Sequence, residues 1–269
     1  MENFSWRNSS LIRQESDFNK DFRVVYYTEL HESNKEFEIN RAEQDQWGLR
    51  SQENWAAAYK EGKYKVGEEI MALEIPQRKG DPVIFDRDEP PRKTSLEKLD
   101  KLRTIYGSPT VTAGNAPGMN AGGSAIVIMS RKKADKLGLK PLATIETMAW
   151  DAAEPRYMST LPAKAIKKAL SNINKSIDDL ELIEINEAFA AVALVSLKIL
   201  GEMDAHKYSA LQAITNVNGG AIAIGHPVGA SGARITMTLM YELMRRGGGC
   251  GAAAICGGLG QGESIILQV

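Results

Sequence analysis

The sequence predicts a layered α/β protein, and three features carry the prediction. Continuous apolar runs of strand length occur at 124–129, 252–256 and 264–269. Segments of helical length and pattern alternate with them at 162–172, 187–200 and 230–246. Glycine-rich turns punctuate the last third, and strands alternating with helices fold as a sheet with helices laid on its faces.

In chain order, residues 1 to about 36 are polar and aperiodic and read as an arm or docking segment, with 1–23 set apart as the arm itself. At Asn40 the pattern changes. Asn40 and Glu43 have capping-box spacing, and Trp47, Ser51, Trp55 and Tyr59 recur every four residues up to Gly62, which predicts an amphipathic helix. A short strand-like run follows at 68–74, and 78–92 is rich in Lys, Arg, Asp, Gly and Pro. The stretch 24–116 therefore reads as a loop-rich domain and 117–269 as the layered domain. The run at 124–129 is expected as a strand buried on both faces. Ile183 and Ile185 mark a short strand before Asn186, and the last two strands are joined through 257–262.

Composition narrows the function classes. The 269 residues include 33 Lys+Arg against 34 Asp+Glu, so no overall basic field draws nucleic acid or an anionic membrane. No stretch has the length of a transmembrane helix, and the N-terminus lacks a basic segment followed by an apolar run, which reads as cytoplasmic. The two cysteines, Cys250 and Cys256, have neither zinc-pair nor disulfide-framework spacing, so no metal is expected.

Three polar clusters sit where apolar runs meet turns. His226 lies in a glycine-dense stretch, 218–232, just before a helix, where free N–H groups and close backbone approach could present imidazole to an anionic or polar ligand. The alternative is a phosphate-binding glycine loop in which the histidine is incidental. Cys256 ends a strand before Gly257-Gly258, a place where backbone amides can stabilise a thiolate or an oxyanion. Cys250, beside Gly247-Gly248-Gly249, reads as a small residue in a turn. Asn186 reads first as a helix N-cap, and Glu187 as a first-turn carboxylate with a solvated or structural role. Thiol, imidazole and amide together suit acyl transfer or proton abstraction beside a carbonyl.

These residues also carry a resemblance. Asn186-Glu187-Ala188-Phe189-Ala190, the segment 218–233 and Cys256-Gly257-Gly258-Leu259-Gly260 resemble, in order, the asparagine, histidine and C-terminal cysteine motifs of the thiolase family. The segment 111–120 is similar to the family's passage from loop domain to C-terminal domain, and Arg41-Ala42-Glu43-Gln44-Asp45 fits the loop domain. The resemblance implies a thiolase-like fold lacking its N-terminal half. It also implies Claisen condensation of two acetyl-CoA, or thiolysis in reverse, on coenzyme A thioester substrates with no tightly bound cofactor.

By that resemblance His226 activates a nucleophilic cysteine, Asn186 holds a water, Cys256 shuttles the Cα proton and the Gly258 N–H helps bind an oxyanion. Phe189 and Met158 line the acyl pocket, and Arg92, Tyr106, Ala116 and Pro117 face coenzyme A. Pro117 departs from a serine common there in the family. The nucleophilic cysteine has no counterpart here, because Cys256 matches the second, acid/base cysteine. A separate chain supplying it is therefore expected, in a hetero-tetramer with two copies of each. The alternative is a non-catalytic thiolase-like subunit that binds coenzyme A or acts as a scaffold.

Overall fold

A computed structural model of the chain describes residues 35–105 and 107–269. The main sheet has four strands in the order β3-β6-β5-β4: β3 (Thr144–Ala152), β4 (Leu182–Ile185), β5 (Cys250–Gly257) and β6 (Gln261–Gln268). β6 pairs antiparallel with β3 and β5, while β4 runs parallel to β5. Two helices that lie against the sheet are α4 (Leu161–Asn172) and α8 (Ser231–Arg245).

Successive strand residues point to opposite faces, and here both directions meet an apolar layer. Ile183, Ala252 and Ile266 join the cluster containing Ile166 and Ala169 of α4. Their neighbours Leu182, Ala253 and Leu267 join Ile235, Leu239 and Leu243 of α8. That double burial is why the last two strands read as unbroken apolar runs. α5 (Ala190–Leu200) is buried on nearly every side and backs α4.

The first helix, α1 (Arg41–Lys60), begins in the expected capping box, with Asn40 accepting from the Glu43 N–H and Glu43 accepting from the Asn40 N–H. Trp47, Ser51 and Trp55 are buried, but Tyr59 is exposed, stacked on Trp55 with ring centroids 5.0 Å apart. The reason is periodicity: each four-residue step overshoots the 3.6-residue turn by roughly 40°, so the stripe winds off the buried face.

Between α1 and the sheet lie β1 (Leu73–Ile75), β2 (Val83–Phe85), α2 (Leu96–Asp100) and α3 (Arg131–Lys136). The hairpin β1–β2 is exposed throughout, as the polar composition of 78–92 suggests.

Four sequence expectations are corrected or narrowed. The run 124–129 has no ladder partner among the described residues, and Val127 and Ile128 are 85% and 69% exposed. Its apolar pattern is that of a strand, but it pairs with neither outer strand of the sheet, β3 or β4. The helix expected over 187–200 begins at Ala190, with Phe189 at the N-cap position, so Asn186 is not a cap. Glu187 is fully buried, which removes the solvated alternative and leaves the structural one. Cys250 opens β5 instead of sitting in a turn. The proposed arm at 1–23 lies outside the described residues.

Two buried carboxyl groups follow one another out of β4. Glu187 accepts four hydrogen bonds: from Trp47 Nε1 at 2.9 Å, Ser51 Oγ at 2.7 Å, Asn216 Nδ2 at 3.0 Å and the Ile222 N–H at 2.9 Å. A Cβ on Gly220 would stand 2.5 Å from its carboxyl carbon, so only glycine lets the backbone pass. Glu184, by contrast, has an Oε2 without a hydrogen-bond partner and 3.7 Å from Arg234 Nη1. Burial raises its pKa to about 8, with Arg234 offsetting the effect only in part and Glu187 and Glu69 adding to it.

Replacing Glu187 by Ala leaves four buried donors unsatisfied and should cost about 3–5 kcal/mol, read as a lowered midpoint in urea unfolding. An unchanged midpoint contradicts the role given to Glu187. The raised pKa of Glu184 means the folded state keeps a proton that the unfolded chain releases above its ordinary value of 4.5. Stability is thus lost as pH rises from that value to about 8. Glu184→Gln should match the wild-type Tm at pH 5 and exceed it at pH 8, and parallel Tm–pH curves would refute the assignment.

Candidate active site

His226 is held by a turn that the glycines make possible. The short helix α7 (Ala221–Ile224) ends at Gly225, whose φ of 95° is left-handed and whose missing side chain leaves room for Asn120. The His226 N–H then donates to the Gly118 carbonyl at 3.0 Å, and the chain re-enters a helix at Ser231. Ser124 Oγ donates to the Ala230 carbonyl at 2.7 Å, so the segment 118–124 straps the histidine loop at both ends.

The imidazole bridges two polar side chains. Nδ1 stands 2.6 Å from Ser231 Oγ and Nε2 3.3 Å from Asn186 Nδ2. Ser231 is buried, and its hydroxyl can donate to the Pro227 carbonyl at 3.1 Å while accepting from imidazole. In that arrangement Nδ1 carries the proton and the Nε2 lone pair faces Asn186. Burial and then the nearby Arg234 cation hold the His226 pKa below its usual value, which leaves imidazole neutral and basic near pH 7.

Asn186 continues β4 past Ile185, and its N–H donates to the Ala254 carbonyl of β5 at 2.9 Å. Because β4 and β5 are parallel, Asn186 and Cys256 come out at the same end of adjacent strands, outside the carboxyl ends where α/β sheets commonly bind ligands. The Cys256 thiol is buried, and burial pushes its pKa up to about 12. It is thus a protonated thiol at rest, able to give a proton and unsuited to be a resting thiolate nucleophile. Gly258 lies exposed in the β5–β6 turn two residues on, with open space around it. Met158 and Phe189 are buried in the same apolar cluster as Cys256.

Cys250, at the other end of β5, has its sulfur 3.3 Å from Lys175 Nζ, and burial raises its thiol pKa. It is six residues along the strand from Cys256, on the order of 20 Å.

Arg92, Ala116 and Pro117 line one cleft of about 440 Å³ together with Thr94, Lys98 and Gly118. The cleft shares Gly118 with the histidine loop, since the Gly118 carbonyl accepts from the His226 N–H. Arg92 is anchored within it, its Nη2 donating to the Ala113 carbonyl at 2.6 Å. Tyr106 lies outside the described residues. The sequence reading missed Lys98 in the cleft, and also Ser231 and Arg234, which come five and eight residues after His226 in the glycine-rich stretch and the helix after it. A serine where that helix starts was the available signal for the first. For Arg234 only the fold reveals its direction.

Comparison with known proteins agrees with this arrangement. Residues 139–269 match the family model of the thiolase C-terminal domain, and 27–132 match that of the thiolase N-terminal domain. The second match corrects the expectation that the N-terminal half is wholly absent, since part of that domain is present. The chain is 47% identical over 232 residues to an acetyl-CoA acetyltransferase of Chromobacterium violaceum, covering 86% of this chain and 57% of the relative. It is 43% identical over 236 residues to the beta-ketoadipyl-CoA thiolase of Acinetobacter baylyi, covering 87% of this chain and 57% of the relative. Among solved structures, the Bacillus anthracis acetyl-CoA acetyltransferase superposes with a TM-score of 0.79 at 38% identity, covering 89% of this chain and 59% of that one. Human mitochondrial 3-ketoacyl-CoA thiolase in complex with CoA gives 0.77 at 36% identity, covering 89% and 57%. The chain thus spans a little over half the length of the relatives it matches, and on both domains and all three motifs it belongs to the thiolase family.

Proposed function

We propose that this chain supplies the acid–base half of a coenzyme-A-dependent acyl transfer, the condensation of two acetyl-CoA to acetoacetyl-CoA or its thiolytic reverse. The observation that carries the reading is a neutral imidazole whose Nε2 faces Asn186 at the strand end it shares with a protonated Cys256. Acyl transfer through an acyl-enzyme needs a base for a nucleophile and, separately, a proton donor for the carbon released when the C–C bond breaks. His226 fills the first role and the Cys256 thiol the second. Asn186, through a water, and the Gly258 N–H then bind thioester oxygens as they gain negative charge.

Coenzyme A enters along the cleft of Arg92, Lys98, Ala116 and Pro117, where the two cations meet its phosphates. Met158 and Phe189 bound the acyl group. The names of the relatives, acetyl-CoA acetyltransferases and a beta-ketoadipyl-CoA thiolase, support the same chemistry.

The nucleophilic thiol comes from a second polypeptide. Cys256 is held protonated, and Cys250 sits at the far end of its strand beside Lys175. Exposed apolar side chains in the segments around the site, Met119, Val127, Val228 and Leu259, give such a partner a surface to cover. Two copies of each chain complete the assembly.

The assembly isolated from native cells through a tag on this chain should thiolyse acetoacetyl-CoA, whereas the isolated chain should not. Iodoacetamide should label a cysteine of the second polypeptide, and native mass spectrometry should give equal numbers of the two. No thiolysis by the assembly overturns the proposal. In the assembly, His226→Ala should lower kcat on the order of 10²–10⁴-fold, while unchanged turnover supports a coenzyme-A-binding scaffold instead. Because burial lowers the His226 pKa, the acid limb of kcat/KM should have its midpoint below the usual histidine value of 6.5. A midpoint at or above that value contradicts the environment described.

A further inference from the structure

The Asn186–His226 pair works only if it is the right way round. A carboxamide fits its site with either end forward at little steric cost, and imidazole can carry its proton on either nitrogen. Reversing both would put an Nε2–H against Asn186 Oδ1, and the lone pair needed for proton abstraction would point away from the site. Something that cannot be reversed must therefore set the direction.

Arg234 is such a group. It lies in the first turns of α8, with its side chain largely buried, its Nη2 3.4 Å from Asn186 Oδ1 and its Nη1 3.7 Å from Glu184 Oε2. A guanidinium donates and never accepts. The end of the Asn186 amide that faces it must be Oδ1, which sends Nδ2 toward His226 Nε2 at 3.3 Å. Nε2 then has to accept, the proton rests on Nδ1, and Ser231 Oγ receives it while donating to the Pro227 carbonyl. Every link agrees with that one polarity; the amide, the imidazole and the hydroxyl can each be turned round, and the guanidinium cannot.

We propose that Arg234 is a positioning residue: it fixes the orientation of the Asn186 amide and, through it, the tautomer that leaves His226 Nε2 free as the base. The same cation lies close enough to the buried carboxyl groups of Glu184, Glu69 and Asp88 to favour their charged forms, so α8 carries it into a site where burial works against those charges. The proposal rests on the acid–base role given to His226, but its physical content is the direction of a hydrogen-bond chain, which can be read without any acyl-CoA.

The test is the two-bond ¹H–¹⁵N spectrum of the imidazoles in the ¹⁵N-histidine-labelled assembly at pH 7.5, with the His226 signals assigned by their loss in His226→Gln. The wild type should show the Nδ1–H tautomer, and an Nε2–H tautomer overturns the proposal outright. Arg234→Lys, which also only donates, should keep that tautomer. Arg234→Gln, which presents both a donor and an acceptor, should give a mixture and lower kcat on the order of ten-fold with KM unchanged. An Arg234→Gln protein with wild-type near-UV circular dichroism and an undisturbed Nδ1–H tautomer also overturns it. Loss of thiolysis with the tautomer pattern as described counts against the acyl-transfer reading and leaves the positioning role standing.

Discussion

The Glu187 carboxylate holds this structure together at the point where its parts meet. Its four hydrogen bonds come from α1, from the loop around Asn216 and from the backbone of α7, three segments that the sequence places 140, 29 and 35 residues away. Burying a carboxylate is costly unless it is fully paired, and here every pairing also fixes a backbone direction. Trp47 and Ser51 bind α1 to the exit of β4. Asn216 returns through its amide to both the N–H and the C=O of Ile185. The Ile222 N–H anchors the glycine loop that carries His226 four residues later. The residue immediately before Glu187 is Asn186, so the group that organises the fold and the group that faces the imidazole are neighbours on one short stretch of backbone.

That adjacency explains why α1 belongs to the site although none of its side chains faces the cleft chemistry. Gly48 lies against the Gly114 backbone, and Asp45 accepts from Asn115 Nδ2 at 2.8 Å while pairing with Arg41 at 2.7 Å. Asn115 passes its carbonyl to the Ala190 N–H at 2.9 Å, at the start of α5. The cleft lined by Arg92, Ala116 and Pro117 is thereby held in fixed relation to Asn186 and Phe189. Few of these contacts are apolar. They are directional bonds, which hold Asn186, Phe189 and the cleft in fixed register.

Burial sets the protonation of three groups in and beside the site. Burial keeps imidazole neutral, keeps the Cys256 thiol protonated and raises the Glu184 carboxyl. Desolvation acts on all three in the same sense, against charge. What distinguishes them is hydrogen bonding: His226 has directional partners on both nitrogens, whereas Glu184 Oε2 has only the guanidinium 3.7 Å away. Glu187, equally buried, differs because four donors meet it. Environment, not residue type, gives the two buried side chains their different hydrogen bonding.

Much of the fold was legible in the sequence because its signals are local. The capping box of α1, the apolar runs of β5 and β6 and the helical spacing of α4 and α8 depend on neighbours along the chain, and they were read correctly. The three motifs singled out His226, Asn186 and Cys256 as candidates. Non-local partners were not legible. A run such as 124–129 specifies a strand but not whether a sheet edge exists to receive it. Asn186 looked like a cap because a cap needs only the next three residues, whereas its actual partners lie 40 and 48 positions away. From sequence, Glu187 reads as either solvated or structural because nothing nearby announces four donors brought from three segments. The sequence by itself determined which side chains could do chemistry and which segments could be helix or strand. Tertiary structure alone decided their direction, because the way an amide or an imidazole faces is set by whichever donor the fold carries to it.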